Sequence, residues 1–383
     1  MRTNFRTRTI FGAILSGLLV ATLLASGAVP ARAAPPAQTF GGDPLNAFPV
    51  LFPELLTLPA PAWIREGQRV SYYIQSATMA QWPDDTGAGG AGFLQHDIVA
   101  VTRGSVVVAS TMYGASEQGV TPAGAFGAAF RPGVGDFWVN PAVLADAEAV
   151  AGDELAVVRM PYTVAETEYD AVRFEYHGDG AVSISMFDTA TGLLIYYRHT
   201  IGADPTDTRS SSEMYLLGRR QLRLPWRGTK APVWLAEGDT LDFAGARSIF
   251  VAGSPSGQFA EQASVDVAMA EARWSAFRVR SSTAGMANGA VDRVTGVAQL
   301  SGALWLPAEA LRAVVRRPQL DRDPITGVVT TYARNADRSI TLTERGELFR
   351  IDNTYDGRSG ALVATRIEVQ TGLAVQITEL AAQ

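Results

Sequence analysis

Three landmarks recur along this chain in the same order, and that recurrence constrains its fold more than any single motif. "PAWIREG" (61–67) is echoed by "PVWLAEG" (232–238), and "DFWVNPAVLADA" (136–147) by "ALWLPAEALRAV" (303–314). The third pair is "MFDTATGLLIYYR" (186–198) and "TYDGRSGALVATR" (354–366). Trp63 and Trp138 lie 75 residues apart, Trp234 and Trp305 71; from Trp138 to Gly192 is 54, from Trp305 to Gly360 is 55. Matching order and spacing predict a tandem duplication, with unit one at 59–225 and unit two at 226–383, joined through "LPWRGTKAPVW". Trp63, Trp138, Trp234 and Trp305 are read as the anchors of two cores, because a large ring kept at a fixed place in both copies serves packing first.

The third landmark belongs to a wider pattern. Asp-x-x-Thr/Ser-Gly, or a close variant, runs from Asp188 to Gly192, Asp292 to Gly296, Asp323 to Gly327 and Asp356 to Gly360. The Asp carboxylate accepts from backbone N–H groups two and three residues on, and Gly takes the left-handed conformation that closes a hairpin. All four are therefore expected to be structural turns. A lone Asp per loop also lacks the several oxygens that Ca²⁺ requires.

Between these turns the chain alternates as half-buried strands do. Val172, Phe174 and Tyr176 interleave with Arg173, Glu175 and His177. Residues 169–202 read as three strands, 93–114 as a hairpin through Arg103-Gly104, and 211–224 as a further strand. Helical signal is confined to 140–151 and 307–315, each with Pro near its first turn. Residues 34–58, rich in Pro, read as an extended lead-in. The expected fold is mainly β: two tandem, homologous antiparallel-sheet domains, meander or half-barrel in type, each with one short helix. That strand–turn rhythm, behind an export-type N-terminus, resembles the LolA/LolB-like periplasmic carriers. The resemblance implies a half-barrel holding an acyl chain; it departs from that pattern in being a duplication.

The N-terminus opens with Arg2, Arg6 and Arg8, continues as an apolar run from Ile10 to about Val29 and closes on Ala31-Arg32-Ala33. This is the layout of a signal peptide (1–33) cleaved after Ala33, so a secreted or periplasmic protein that is not membrane-spanning after cleavage is expected. The chain has no Cys, which removes disulfides, thiol catalysis, Cys-ligated metal and a lipid-modified Cys anchor. Without the four arginines of the first 33 residues, 28 basic residues face 38 acidic ones, a net charge of −10. An acidic chain without basic runs is poorly suited to nucleic acid, whose phosphates demand concentrated positive charge.

Chemistry-bearing motifs are sparse. H-E-x-x-H, G-x-S-x-G and the P-loop pattern are missing; "GSPSG" (253–257) puts Pro255 where the nucleophile would stand. "GAGGAG" (87–92) satisfies G-x-G-x-x-G but leads toward a strand, so it reads as a loop without a helix N-terminus for a pyrophosphate. His177 and His199 fall on the first and third strands of one meander, and no metal or other cofactor is expected. The one candidate ligand site is Trp82 with Asp84 and Asp85 in "QWPDDTGAGG", an aromatic flanked by two acids that suits a sugar ring and its hydroxyls. Three functions fit: a non-enzymatic binding or scaffold module, a carrier of an apolar ligand, or a hydrolase of envelope or extracellular polymer. A glycan, a lipid or an envelope protein is the partner these readings admit.

Overall fold

The computed structural model describes residues 44–79, 88–178, 180–202, 209–226, 230–313 and 319–383. Helix α1 (Pro44–Leu51) precedes a four-strand meander of β1 (Gln68–Met79), β2 (Ala88–Val101), β3 (Val106–Ser116) and β4 (Gly119–Phe130). A crossover follows, with the short strands β5 (Val134–Gly135) and β6 (Trp138–Val139) and 3₁₀ turns at Pro141–Leu144 and Ala147–Val150. The chain then returns through β7 (Leu155–Val164), β8 (Thr167–Gly178), β9 (Ala181–Asp188), β10 (Leu194–Ile201) and β11 (Arg209–Gln221). The resulting sheet has nine strands in the order β4-β3-β2-β1-β11-β10-β9-β8-β7.

The plan repeats. A meander of β12 (Thr240–Val251), β13 (Ser254–Ala270), β14 (Trp274–Thr283) and β15 (Met286–Gly296) leads into a crossover carrying α2 (Ala308–Arg312). The return runs through β16 (Gln319–Arg322), β17 (Val329–Arg334), β18 (Ile340–Arg345), β19 (Phe349–Tyr355), β20 (Leu362–Thr371) and β21 (Ala374–Ala382). Ten strands order as β15-β14-β13-β12-β21-β20-β19-β18-β17-β16. In both sheets the last strand returns to pair antiparallel with the first, β1 with β11 and β12 with β21. The molecule is mainly β, in two large antiparallel sheets. Packing groups the described residues into two compact units: those of 44–106 with 129–221, and those of 107–128 with 222–383. Most of the β3–β4 hairpin thus belongs to the nine-stranded sheet by hydrogen bonding and to the second unit by packing.

First-with-last pairing explains why distant landmarks meet. Trp63 Nε1 donates to the Thr191 carbonyl at 2.8 Å, and Trp234 Nε1 to that of Ser359 at 2.8 Å. Trp138 bridges to Leu193 as Trp305 bridges to Ala361, and both indoles are fully buried. The Asp188 carboxylate accepts from Thr191 N at 3.1 Å; that of Asp356 accepts from Ser359 N at 2.6 Å. Asp323 holds Thr326 N in the same way at 2.9 Å. Gly192, Gly327 and Gly360 have φ of +69°, +72° and +77°. At Gly192 a Cβ would also stand 1.9 Å from the Val139 carbonyl oxygen, and at Gly360 2.3 Å from that of Leu306, so these two turns exclude a side chain twice over.

Four expectations need correction. Asp292 to Gly296 is not a turn: both lie in β15, Gly296 is absent from the positive-φ glycines, and Asp292 accepts two hydrogen bonds from Arg278 across the ladder, at 2.9 and 3.1 Å. A full run of cross-strand pairs outweighs the local turn the motif offers. The segment 44–56 is not extended. It forms α1 and a 3₁₀ turn because Phe48, Phe52 and Leu55 bury, with the Phe48 ring 4.8 Å from that of Phe174 and 5.3 Å from that of Phe187. The helix expected at 140–151 is the pair of 3₁₀ turns, the first capped by the Asn140 side chain accepting from Ala142 N at 2.9 Å. "GAGGAG" is no free loop, since from Ala88 it is the start of β2.

Candidate binding surface

Two Tyr-Tyr pairs, Tyr72-Tyr73 and Tyr196-Tyr197, sit in strands, and strand pleating sends the members of each pair to opposite faces. Tyr72 goes inward, is fully buried and donates to the Leu194 carbonyl at 2.9 Å. Tyr197 is likewise buried. Tyr73 and Tyr196 take the other face. There the register sets Tyr73 directly opposite both Phe93 and Tyr215, and Tyr215 opposite Tyr196.

The outcome is a continuous row of rings across β2, β1, β11 and β10, ended by Tyr162 of β7. Successive centroids, from Phe93 through Tyr73, Tyr215 and Tyr196 to Tyr162, lie 5.9, 6.5, 5.3 and 5.6 Å apart. Phe93, Tyr73, Tyr215 and Tyr162 are half-buried, while Tyr196 is 9% exposed. Glu213 lies beside the row and accepts from the Tyr215 hydroxyl; Arg198, opposite it in register, approaches to 3.6 Å. Burial, then Glu213 and Tyr162, push the Tyr196 hydroxyl up to about 12. Burial first, then the hydrogen bond and charge of Glu213, raise Tyr215 as well, and burial with Glu213 raises Tyr162. The three phenols therefore stay protonated at neutral pH and offer hydroxyls at the margin of an aromatic platform.

The second sheet lacks this row at the positions equivalent to Tyr73, Phe93, Tyr215 and Tyr196. Ten residues after Trp63 stands Tyr73, and ten after Trp234 stands Ala244; four after Gly192 stands Tyr196, and four after Gly360 stands Ala364. Ala244 opposes Ala381 and Gln262 just as Tyr73 opposes Tyr215 and Phe93. Where the first sheet carries rings, the second has an open trough lined by Ala244, Ala364 and Ala381. The fold keeps its tryptophans and turns in both copies without needing these aromatics in both. No motif scan would find the row, but the doubled tyrosines were a usable signal: in a strand, one of each pair must face away from the core.

Trp82, Asp84 and Asp85 lie outside the described residues. The histidines do not converge. β9 opposes His177 with Val182 and His199 with Ser183, so the two rings sit on opposite faces of the sheet. His177 Nε2 lies 2.9 Å from Glu175, while His199 is buried with Nδ1 2.7 Å from Ser183 Oγ. His96 stacks on Phe137 at 4.4 Å between centroids, and burial pulls it down to about 3, leaving a neutral core ring. Among the described residues no cluster of three or more His, Asp or Glu is placed to hold a metal ion, and no helix is long and apolar enough to cross a membrane.

No family model and no curated protein matches the chain. Among solved structures, a candidate AttH from Nitrosomonas europaea is 10% identical over 94% of this chain and 99% of its own, with a TM-score of 0.17. The isotype 1 transferrin binding protein B from serogroup B Neisseria meningitidis is 7% identical, covering 85% of this chain and 78% of its own, with a TM-score of 0.14. Pseudomonas aeruginosa OccK1 is 8% identical, covering 82% and 98%, with a TM-score of 0.11. At such scores none of the three carries an argument about fold or function.

Proposed function

We propose that this is an exported, non-enzymatic binding protein of two homologous β domains, 59–225 and 226–383, and that it holds glycan chains on the aromatic row of the first. One observation carries the reading: the rings at Tyr73, Tyr215, Tyr196 and Phe93 are replaced in the other copy by Ala244, Ala381, Ala364 and Gln262, although the anchors of the fold are kept. The partly exposed rings of Phe93, Tyr73, Tyr215 and Tyr162 offer apolar surface to sugar rings, and the flanking hydroxyls, Glu213 and Arg198 offer donors and acceptors to sugar hydroxyls. A signal peptide cleaved after Ala33 would deliver the protein to the compartment where such polymers lie.

An acyl-chain carrier is less well supported. In the second unit residues 107–128 pack on the inner face of the sheet and leave a cavity of about 80 Å³, well short of the several hundred Å³ of an ordinary ligand pocket.

The test is affinity electrophoresis and calorimetry against soluble β-glucan, chitin oligosaccharides and peptidoglycan fragments. Binding should occur with at least one of these and be lost in Tyr73→Ala/Tyr215→Ala, a change the second sheet already accommodates. Binding that survives the double substitution, or no retardation by any of these glycans, overturns the proposal.

A further inference from the structure

The cavity of the second unit has a composition that plain packing does not explain. Its walls are apolar on the side of Phe243, Val265, Leu304, Ile351, Leu362 and Leu380. Over it lies the hairpin of residues 107–128, with Tyr113 5.9 Å from Phe349 between ring centroids and Phe126 packed on the cluster that includes Trp305. At one pole the lining turns polar, with Arg293, Glu344, Asn353 and Thr365. Arg293 and Asn353 are 8% and 7% exposed.

Hydrogen bonding at that pole is incomplete on the donor side. A guanidinium carries five N–H donors, and among the described residues Arg293 uses its Nη2 toward the Gly302 carbonyl and makes no other hydrogen bond. Asn353 Oδ1 accepts from Thr365 Oγ1 at 2.6 Å, which leaves the two donors of the same amide without a partner among the described residues. Glu344 accepts from Gly302 N at 3.3 Å, so the backbone at Gly302 is clamped between the two charges. Donors on a cavity wall that meet no protein acceptor are satisfied by solvent or by acceptor atoms bound in the cavity.

We infer that this cavity is a binding site for a short-chain carboxylate of two to four carbons, its oxygens on Arg293 and Asn353 and its alkyl end against Phe243, Val265 and Leu304. A carboxylate is the acceptor that a planar guanidinium matches best. The size follows from the volume: at about 10–15 Å³ for each water-sized position, 80 Å³ offers about five to eight, which suits the four to six heavy atoms of acetate through butyrate. This site is independent of the aromatic row.

The experiment uses the whole chain at pH 7, with thermal melts and calorimetry in sodium acetate, propionate, butyrate and octanoate against sodium chloride of equal ionic strength. Saturable binding is expected for the three short acids and not for octanoate, with Arg293→Met weakening it roughly tenfold or more. Ala263→Leu, which fills the cavity from β13 and keeps Arg293, should abolish it. Should either variant fail to fold, crystals of the unsubstituted protein grown with and without propionate decide, with acid density against Arg293 expected. Water alone in both crystals, equal effects of chloride and the acids, octanoate binding as well as butyrate, or unchanged affinity in a folded Arg293→Met protein would each overturn the inference.

Discussion

The indole of Trp63 donates its N–H to the backbone carbonyl of Thr191, 2.8 Å away and 128 residues along the chain. That bond fastens the segment entering β1 to the turn leaving β9, and Trp234 fastens its own unit through Ser359 at the same distance. A ring conserved between copies for its hydrogen bond, as well as its bulk, should respond to removal of the N–H alone. Trp63→Phe and Trp234→Phe should each destabilise by ~1–3 kcal/mol, the cost of a part-buried carbonyl left without its donor plus lost packing. Urea melts of the two variants should agree; a large loss from one and none from the other would refute the equivalence of the anchors.

The turn glycines should separate into two classes. Gly192 and Gly360 combine positive φ with a carbonyl oxygen where a Cβ would sit, whereas Gly327 has positive φ and open space. Gly327→Ala should cost about 1–2 kcal/mol, the left-handed penalty alone. Gly192→Ala and Gly360→Ala should cost clearly more, since backbone must also move. Equal midpoints for all three in chemical denaturation would show that close approach contributes nothing.

Acid should expose His96. Burial lowers its folded-state value to about 3, against an ordinary value of 6.5 when unfolded. Below pH 6.5 the unfolded chain takes up a proton that the folded chain refuses, so this contribution is intact above pH 6.5 and is lost as pH falls toward 3. The slope is ~1.4 kcal/mol per pH unit inside that window. His199, lowered in the same direction by burial, adds to it. His96→Gln should flatten stability between pH 6 and 4 relative to the unsubstituted protein, as followed by urea titration at stepped pH; an unchanged slope would place the acid response elsewhere.

Alkali should test the aromatic row. Tyr196 ionises at about 12 in the folded protein and near 10 when unfolded. A raised folded value keeps the stabilisation whole below pH 10 and removes it as pH climbs from 10 through about 12. Tyr196→Phe should reduce that loss, read as the pH dependence of the thermal midpoint. Ultraviolet titration should show tyrosines that ionise late in the native protein, and normal titration of all of them would mean that the row is solvated.

Much of this architecture was legible because its causes are local. Asp188, Asp323 and Asp356 close turns with their own neighbours, Gly192 and Gly360 need φ that few other residues adopt, and alternation along 172–177 specifies a strand from within six residues. The same logic fails where local and distant demands conflict. Asp292 has the turn motif but faces Arg278 across a ladder, and the Pro-rich 44–56 coils because Phe48 finds Phe174 and Phe187 more than a hundred residues on. By itself, then, the sequence determined a duplicated β fold, its tryptophan anchors and most of its turns, since spacing, pleat and backbone chirality act over a few residues. Only the tertiary structure decided that β1 pairs with β11, that residues 107–128 pack with the second unit, that Phe93, Tyr73, Tyr215, Tyr196 and Tyr162 form one row, and that Arg293 and Asn353 share a cavity. Those features depend on the register between strands far apart in the chain, and register is chosen by the summed burial and hydrogen bonding of whole strands.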